Sequence, residues 1–201
     1  MEGSFSNNFL TAFLLLLAFT SQINSNSAAR IPAGTTSTEF IKTSCSATTY
    51  PKLCFNSLSS HSSAIRTDPK LLAQTALSVS LNTARSTSTM MVKLSQSHGM
   101  KPREVAAMHD CVEELSDSVD QLRKSLGEMG QLNGPNYGLV MNDIQTWVSA
   151  ALTDEDTCTE GFGGKAQNGN LKNTVRVQIL NVAHMTSNAL ALINNYAALH
   201  E

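Results

Sequence analysis

Residues 99–160, GMKPREVAAMHDCVEELSDSVDQLRKSLGEMGQLNGPNYGLVMNDIQTWVSAALTDEDTCTE, decide the fold. From Val105 the apolar residues Met108, Val112, Leu115, Val119, Leu122, Leu126 and Met129 follow in steps of three and four. That spacing predicts one stripe of an α-helix lying against neighbours. Pro102 fits its first turn, where a missing N–H costs nothing. A break rich in Gly, Asn and Pro follows over Gly127–Asn136. Val140, Ile144, Trp147, Val148, Ala151 and Leu152 then carry a second helix to about Glu160. The short loop makes the two helices antiparallel neighbours. Cys111 lies 22 residues before the loop centre near Asn133 and Cys158 lies 25 after it, so the two arrive at a similar height.

Further helices extend this pair in both directions. Asp68-Pro69 is a start signal, a capping carboxylate followed by Pro at the first helical position. Leu72, Ala76, Val79, Thr83, Met90 and Leu94 continue from it to a stop at Gly99. A last helix starts near Leu171 and uses Val175, Ile179, Val182, Thr186, Ala189, Ile193 and Tyr196, after a loop Gly161–Asn170 whose composition is that of a flexible connection. The fold class is therefore all-α, an up-down-up-down four-helix bundle over about residues 69–200. Thr38–Ala47 and Pro51–Ser60 read as two short helices ahead of it, each too short to hold alone in water.

The chain has 201 residues, 14 Lys+Arg against 16 Asp+Glu, and only 15% charged residues. Such a balance offers no basic footprint for nucleic acid and no polybasic membrane patch. Phe9–Phe19, FLTAFLLLLAF, is an uncharged apolar run shorter than the roughly 20 residues that a bilayer span needs. Small residues follow, with Ser25-x-Ser27 or Ser27-x-Ala29 suited to a signal peptidase, although no Lys or Arg precedes the run. Residues 1–27 are read as a signal peptide and 28–201 as the mature domain, secreted and without a membrane anchor. No Asn-x-Ser/Thr acceptor occurs, so N-glycosylation is not expected.

Secretion makes Cys45, Cys54, Cys111 and Cys158 an even set in an oxidising compartment. Zinc is the rival, but no close C-x-x-C pair is present and His109 beside Cys111 lacks partners. Equal height on adjacent helices selects Cys111–Cys158, and Cys45–Cys54 follows by elimination, clamping the short helices into a hairpin about residues 38–60.

Enzymatic chemistry finds no foothold. The histidines His61, His98, His109, His184 and His200 are scattered, and neither a G-x-S-x-G elbow nor an H-E-x-x-H pair occurs. Gly164-Lys165 is followed by Ala166 where a phosphate loop needs Ser or Thr. Asp154-Glu155-Asp156 lacks the spacing of a calcium loop, and no Glu-x-x-His pair is available for a di-metal site. No metal or cofactor is expected, and binding is the better class. The candidate surface is acidic: Asp110, Glu113, Asp117 and Asp120 form a stripe on one helix, and Asp154, Glu155, Asp156 and Glu160 crowd the end of its neighbour. Carboxylates at a helix C-terminus oppose its dipole, a local cost that a binding partner would explain. The bland alternative is a solvated helix surface.

Three segments carry a likeness: Phe40–Leu58 (FIKTSCSATTYPKLCFNSL), Asp110–Leu126 (DCVEELSDSVDQLRKSL) and Asp143–Phe162 (DIQTWVSAALTDEDTCTEGF). They resemble the plant family of pectin methylesterase inhibitors and invertase inhibitors. The resemblance spans essentially the whole mature chain, and it implies the same hairpin, bundle and pairing of consecutive cysteines. The domain also occurs as the N-terminal pro-region of some pectin methylesterases; ending at Glu201 without a catalytic domain, this chain is better compared with the free inhibitors. It implies a stoichiometric complex in which the bundle covers the methylesterase's substrate cleft in the apoplast. In the pectin branch the residue before the last cysteine and acids after the third contribute to the interface. Here those are Thr157, then Asp117 and Asp120, with Glu160 where a related acid is found; Glu113 extends the same stripe. The bland alternative for Thr157 is a hydroxyl bonded back to its own helix. In the invertase branch a Pro-Lys-Phe segment before the last helix enters the sucrose pocket. Lys165 here has neither that Pro before it nor that Phe after it, and the only Pro-Lys is Pro51-Lys52-Leu53. The pectin target is therefore favoured over acid invertase, with a secreted helical signalling protein as a reading from another class.

Overall fold

The structure, a computed structural model, describes residues 36–132, 134–163 and 169–200. The signal peptide read over residues 1–27, the loop centre at Asn133 and Lys165 lie outside them. Helix α1 (Ser37–Ser46) starts at Thr36, whose Oγ1 accepts from the Glu39 N–H at 3.3 Å. Helix α2 (Pro51–Leu58) begins on Pro51, whose fixed φ suits a first turn. Cys45–Cys54 bridges them with Cα atoms 5.6 Å apart. The sequence predicts one helix to Ser60, but the chain passes instead through a 3₁₀ turn, Ser59–His61, into a short helix α3, Ser62–Ile65. Buried Ile65 anchors this extra turn, and Arg66, at φ 55°, redirects the chain.

Four long helices follow: α4 (Pro69–Ser95), α5 (Pro102–Met129), α6 (Tyr137–Gly161) and α7 (Asn170–Ala197). Asp68 starts α4 as its residue type demands, Oδ1 accepting from the N–H groups of Lys70 at 2.8 Å and Leu71 at 3.2 Å. Gly99, at φ 90°, makes the turn from α4 to α5 in a conformation that side chains resist. At the start of α5 the Glu104 carboxylate accepts from the Lys101 N–H at 2.8 Å. The break read from Gly127 starts later, because α5 continues to Met129, which is fully buried.

Helix α5 packs most extensively on α6, and α4–α7, α4–α5 and α6–α7 complete a square of antiparallel neighbours. This is the expected four-helix bundle behind a clamped hairpin. Its core falls into two apolar clusters. One joins the hairpin to Leu77, Leu122, Ile144 and Ile193; the other collects Met91, Met108, Leu115, Phe162 and Ile179 around Cys111 and Cys158. Val105, expected on the core stripe of α5, is 48% exposed, and the buried face of that helix begins instead at Ala107 and Met108. Among the described residues no helix is long and apolar enough to cross a membrane.

Candidate functional site

The α5–α6 pair is pinned by Cys111–Cys158, with Cα atoms 4.4 Å apart, as the register of the two helices requires. One turn and two turns beyond Cys111, α5 turns Glu114 and Asp117 toward α6, where Asp154 meets them. The Gln121 side-chain amide donates to Asp154 Oδ2 at 2.9 Å, a second tie between the helices. Partial burial, then the charges of Glu114 and Asp117, raise the Asp154 carboxyl to about 6. Asp154 thus changes charge within the mildly acidic range, unlike an ordinary carboxylate.

The expected contact residues do not all share one environment. Glu113, Asp117 and Asp120 are exposed along α5, and Thr157 and Glu160 are exposed along α6. Asp120 is occupied on its own helix by an ion pair with Arg123. Thr157 Oγ1 donates to the Thr153 carbonyl at 2.8 Å, so its hydroxyl is satisfied within α6 and its methyl group remains for a partner. The carboxylates read as a cluster at the end of α6 separate completely. Asp156 faces solvent, Asp154 faces α5, and Glu155 is entirely buried. Glu155 Oε1 accepts from Ser118 Oγ at 2.7 Å and from Thr186 Oγ1 at 3.0 Å. Burial pushes its carboxyl up to about 8 despite those donors. Of the four acids, Glu155 alone is therefore withdrawn from the surface. Sequence reasoning missed this division, although Val148, Ala151, Glu155 and Cys158 stand at core spacing. It also missed Glu114 and Gln121, which complete the environment of Asp154.

The last turn of α6 closes with the Gly163 N–H donating to the Glu160 carbonyl at 2.7 Å. A Cβ on Gly163 would stand only 3.0 Å from that oxygen, so a side chain there would disturb the turn that presents Glu160. Among the described residues no group of three or more His, Cys, Asp or Glu could hold a metal ion. What the face offers is shape, a carboxyl raised to about 6 and a disulfide-linked base.

A helical slab of this kind defines a binding module, a protein whose working part is a surface. The model of the plant invertase/pectin methylesterase inhibitor family matches residues 39–192, from α1 almost to the end of α7. The chain belongs to that family. It is 45% identical over its whole length to the 21 kDa protein of Daucus carota, also matched over its whole length. It is 44% identical to pectinesterase inhibitor 11 of Arabidopsis thaliana, over 94% of this chain and 96% of that one. A crystal structure of a mutant form of a pectin methylesterase inhibitor from Arabidopsis superposes with a TM-score of 0.63 over 77% of this chain and 95% of its own, at 22% identity. That likeness is one of fold.

Proposed function

We propose that the protein is a secreted inhibitor of plant pectin methylesterase, forming a reversible one-to-one complex in the cell wall that closes the enzyme's substrate cleft. It is not an enzyme. The observation that carries this reading is the 44% identity to pectinesterase inhibitor 11, which extends over nearly the full length of both chains. Glu113, Asp117, Asp120, Thr157 and Glu160 supply the contact from α5 and α6, helices held in fixed register by Cys111–Cys158. Their contribution is steric and electrostatic, and no covalent step occurs. The apolar run Phe9–Phe19 and the small residues after it support export, with removal of residues 1–27. Acid invertase is the less favoured target, because Lys165 is not flanked by Pro and Phe.

The test is a titration of the purified oxidised protein against a plant pectin methylesterase, a fungal one and an acid invertase. Activity of the plant esterase should fall in proportion to added protein and vanish near equivalence. An esterase fully active at equimolar dose, with the invertase inhibited instead, would overturn the assignment.

A further inference from the structure

A layer of polar side chains crosses the middle of the bundle. On α5, Ser118 lies between Leu115, in one apolar cluster, and Leu122, in the other. On α6, Glu155 lies between Ala151 and Cys158, which are likewise divided between the two clusters. Both side chains are fully buried, as is Thr186 of α7. The two hydroxyls converge on a single oxygen, Glu155 Oε1. The other oxygen, Oε2, is also buried and has no hydrogen-bond partner among the described residues. An ionised carboxylate needs several donors, or a cation, to live in such a place. The surroundings offer the reverse. On α6 itself the nearest charges are Asp154 and Asp156, both acids. From α5 come the Ser118 hydroxyl and, turned toward Asp154, the further acids Glu114 and Asp117. From α7 comes Thr186, while neighbouring His184 is stacked on Tyr50 and Asn188 is bonded to the Tyr50 backbone.

We infer that the Ser118–Glu155–Thr186 layer is a proton-held lock, in which Glu155 ties α5 and α7 to α6 as a neutral acid and loosens them when it loses its proton. The proton resides on Oε2, the oxygen that accepts neither hydroxyl. Ionisation places a charge on the buried face of α6, two residues before Thr157. The lock is a property of the fold and stands whether or not the protein inhibits an esterase.

Linkage sets the sign. The folded carboxyl, near 8, lies above its ordinary value of 4.5, so the folded state binds the extra proton. Stability is therefore full below that ordinary value and falls as pH rises toward 8. Asp154, raised to about 6, acts in the same sense but only at lower pH. Between pH 6.5 and 8 Glu155 is the group of the two that still titrates, and one linked proton changes the unfolding constant about tenfold per pH unit.

The experiment is urea denaturation of the oxidised protein at steps from pH 6.5 to 8, beside Glu155→Gln and Asp154→Asn. Wild type and Asp154→Asn should lose stability with that slope, and Glu155→Gln, which keeps the acceptor but cannot ionise, should show none. Hydrogen exchange, corrected for its intrinsic pH dependence, should show amides of residues 151–159 losing protection at pH 8 in wild type and Asp154→Asn but not in Glu155→Gln. A flat wild-type profile, or an equal slope in Glu155→Gln, overturns the lock. Should Glu155→Gln not fold, carboxyl infrared absorption of the Asp154→Asn protein decides: a protonated acid persisting at pH 7 is expected, and its absence refutes the inference.

Discussion

Asn188 grips the backbone of Tyr50 from both sides. The Tyr50 N–H donates to Asn188 Oδ1 at 3.0 Å, and Asn188 Nδ2 donates to the Tyr50 carbonyl at 3.1 Å. One turn earlier on α7, His184 stacks on the Tyr50 ring with centroids 3.8 Å apart. The turn between α1 and α2 is thus held by the last helix of the bundle as well as by its own disulfide. Replacing Asn188 by Ala should cost about 2 kcal/mol in urea denaturation, since two partly buried backbone groups lose their partner. Asn188→Asp, which keeps the acceptor alone, should fall between the two. Unchanged stability in both would leave the disulfide and the ring stacking as sufficient fasteners.

The larger disulfide closes a loop of 47 residues between helices that already pack extensively. On the chain-entropy model it contributes at most about 4 kcal/mol, against about 3 for Cys45–Cys54 with its separation of nine. Replacing Cys111 and Cys158 together by Ala should lower the urea midpoint more than replacing Cys45 and Cys54. The reverse order would show that the hairpin depends on its bridge for native structure, beyond the entropy of the unfolded chain.

The bundle was legible in the sequence because its signals are local: Asp68-Pro69, the stripe of α5, and the matched heights of Cys111 and Cys158. The buried face of α4 was only partly legible. Periodicity singled out Val79, Thr83, Met90 and Leu94, whereas the buried residues include Ala73, Leu77, Ala84, Thr87 and Met91. That helix packs on both α5 and α7, so its buried face is wider than one stripe, and small or polar residues such as Ser80 and Thr87 occupy part of it. Glu155 was misread for a related reason. Its residue type outweighed its position, although a carboxyl that keeps its proton can occupy a core site as a polar neutral group. Contact residues are harder still, since an exposed acid shows the same spacing whether it meets water or a protein.

Thr157 provides the most direct test of the contact face. Its side chain is exposed, its hydroxyl is already bonded within α6, and its neighbour Cys158 fixes its place. Thr157→Trp should therefore change stability by no more than about 0.5 kcal/mol, as for other exposed sites. Against pectin methylesterase its Kd should rise about tenfold or more, equivalent to 1.4 kcal/mol, through bulk that the enzyme surface cannot admit. Unaltered inhibition by a folded Thr157→Trp protein removes this residue from the interface.

Asp154 should make the proposed interface pH-dependent. Its carboxyl, raised to about 6 by burial and by Glu114 and Asp117, is largely neutral at pH 5 and largely ionised at pH 7.5. A partner that covers the α5–α6 face without placing a cation there strips water from the ionised form uncompensated, whereas the neutral form can share a hydrogen bond. If only the neutral form binds, affinity should fall by up to about 30-fold between those two pH values. Asp154→Asn should bind with a nearly flat profile. Asp117→Asn, which removes one of the charges pressing on Asp154, should move the midpoint downward. Asp120→Asn should leave it in place, because Asp120 is paired with Arg123 and does not act on Asp154. Kd measured from pH 5 to 7.5 for the four proteins checks the scheme, and a slope retained in Asp154→Asn would assign the titration to a group on the esterase.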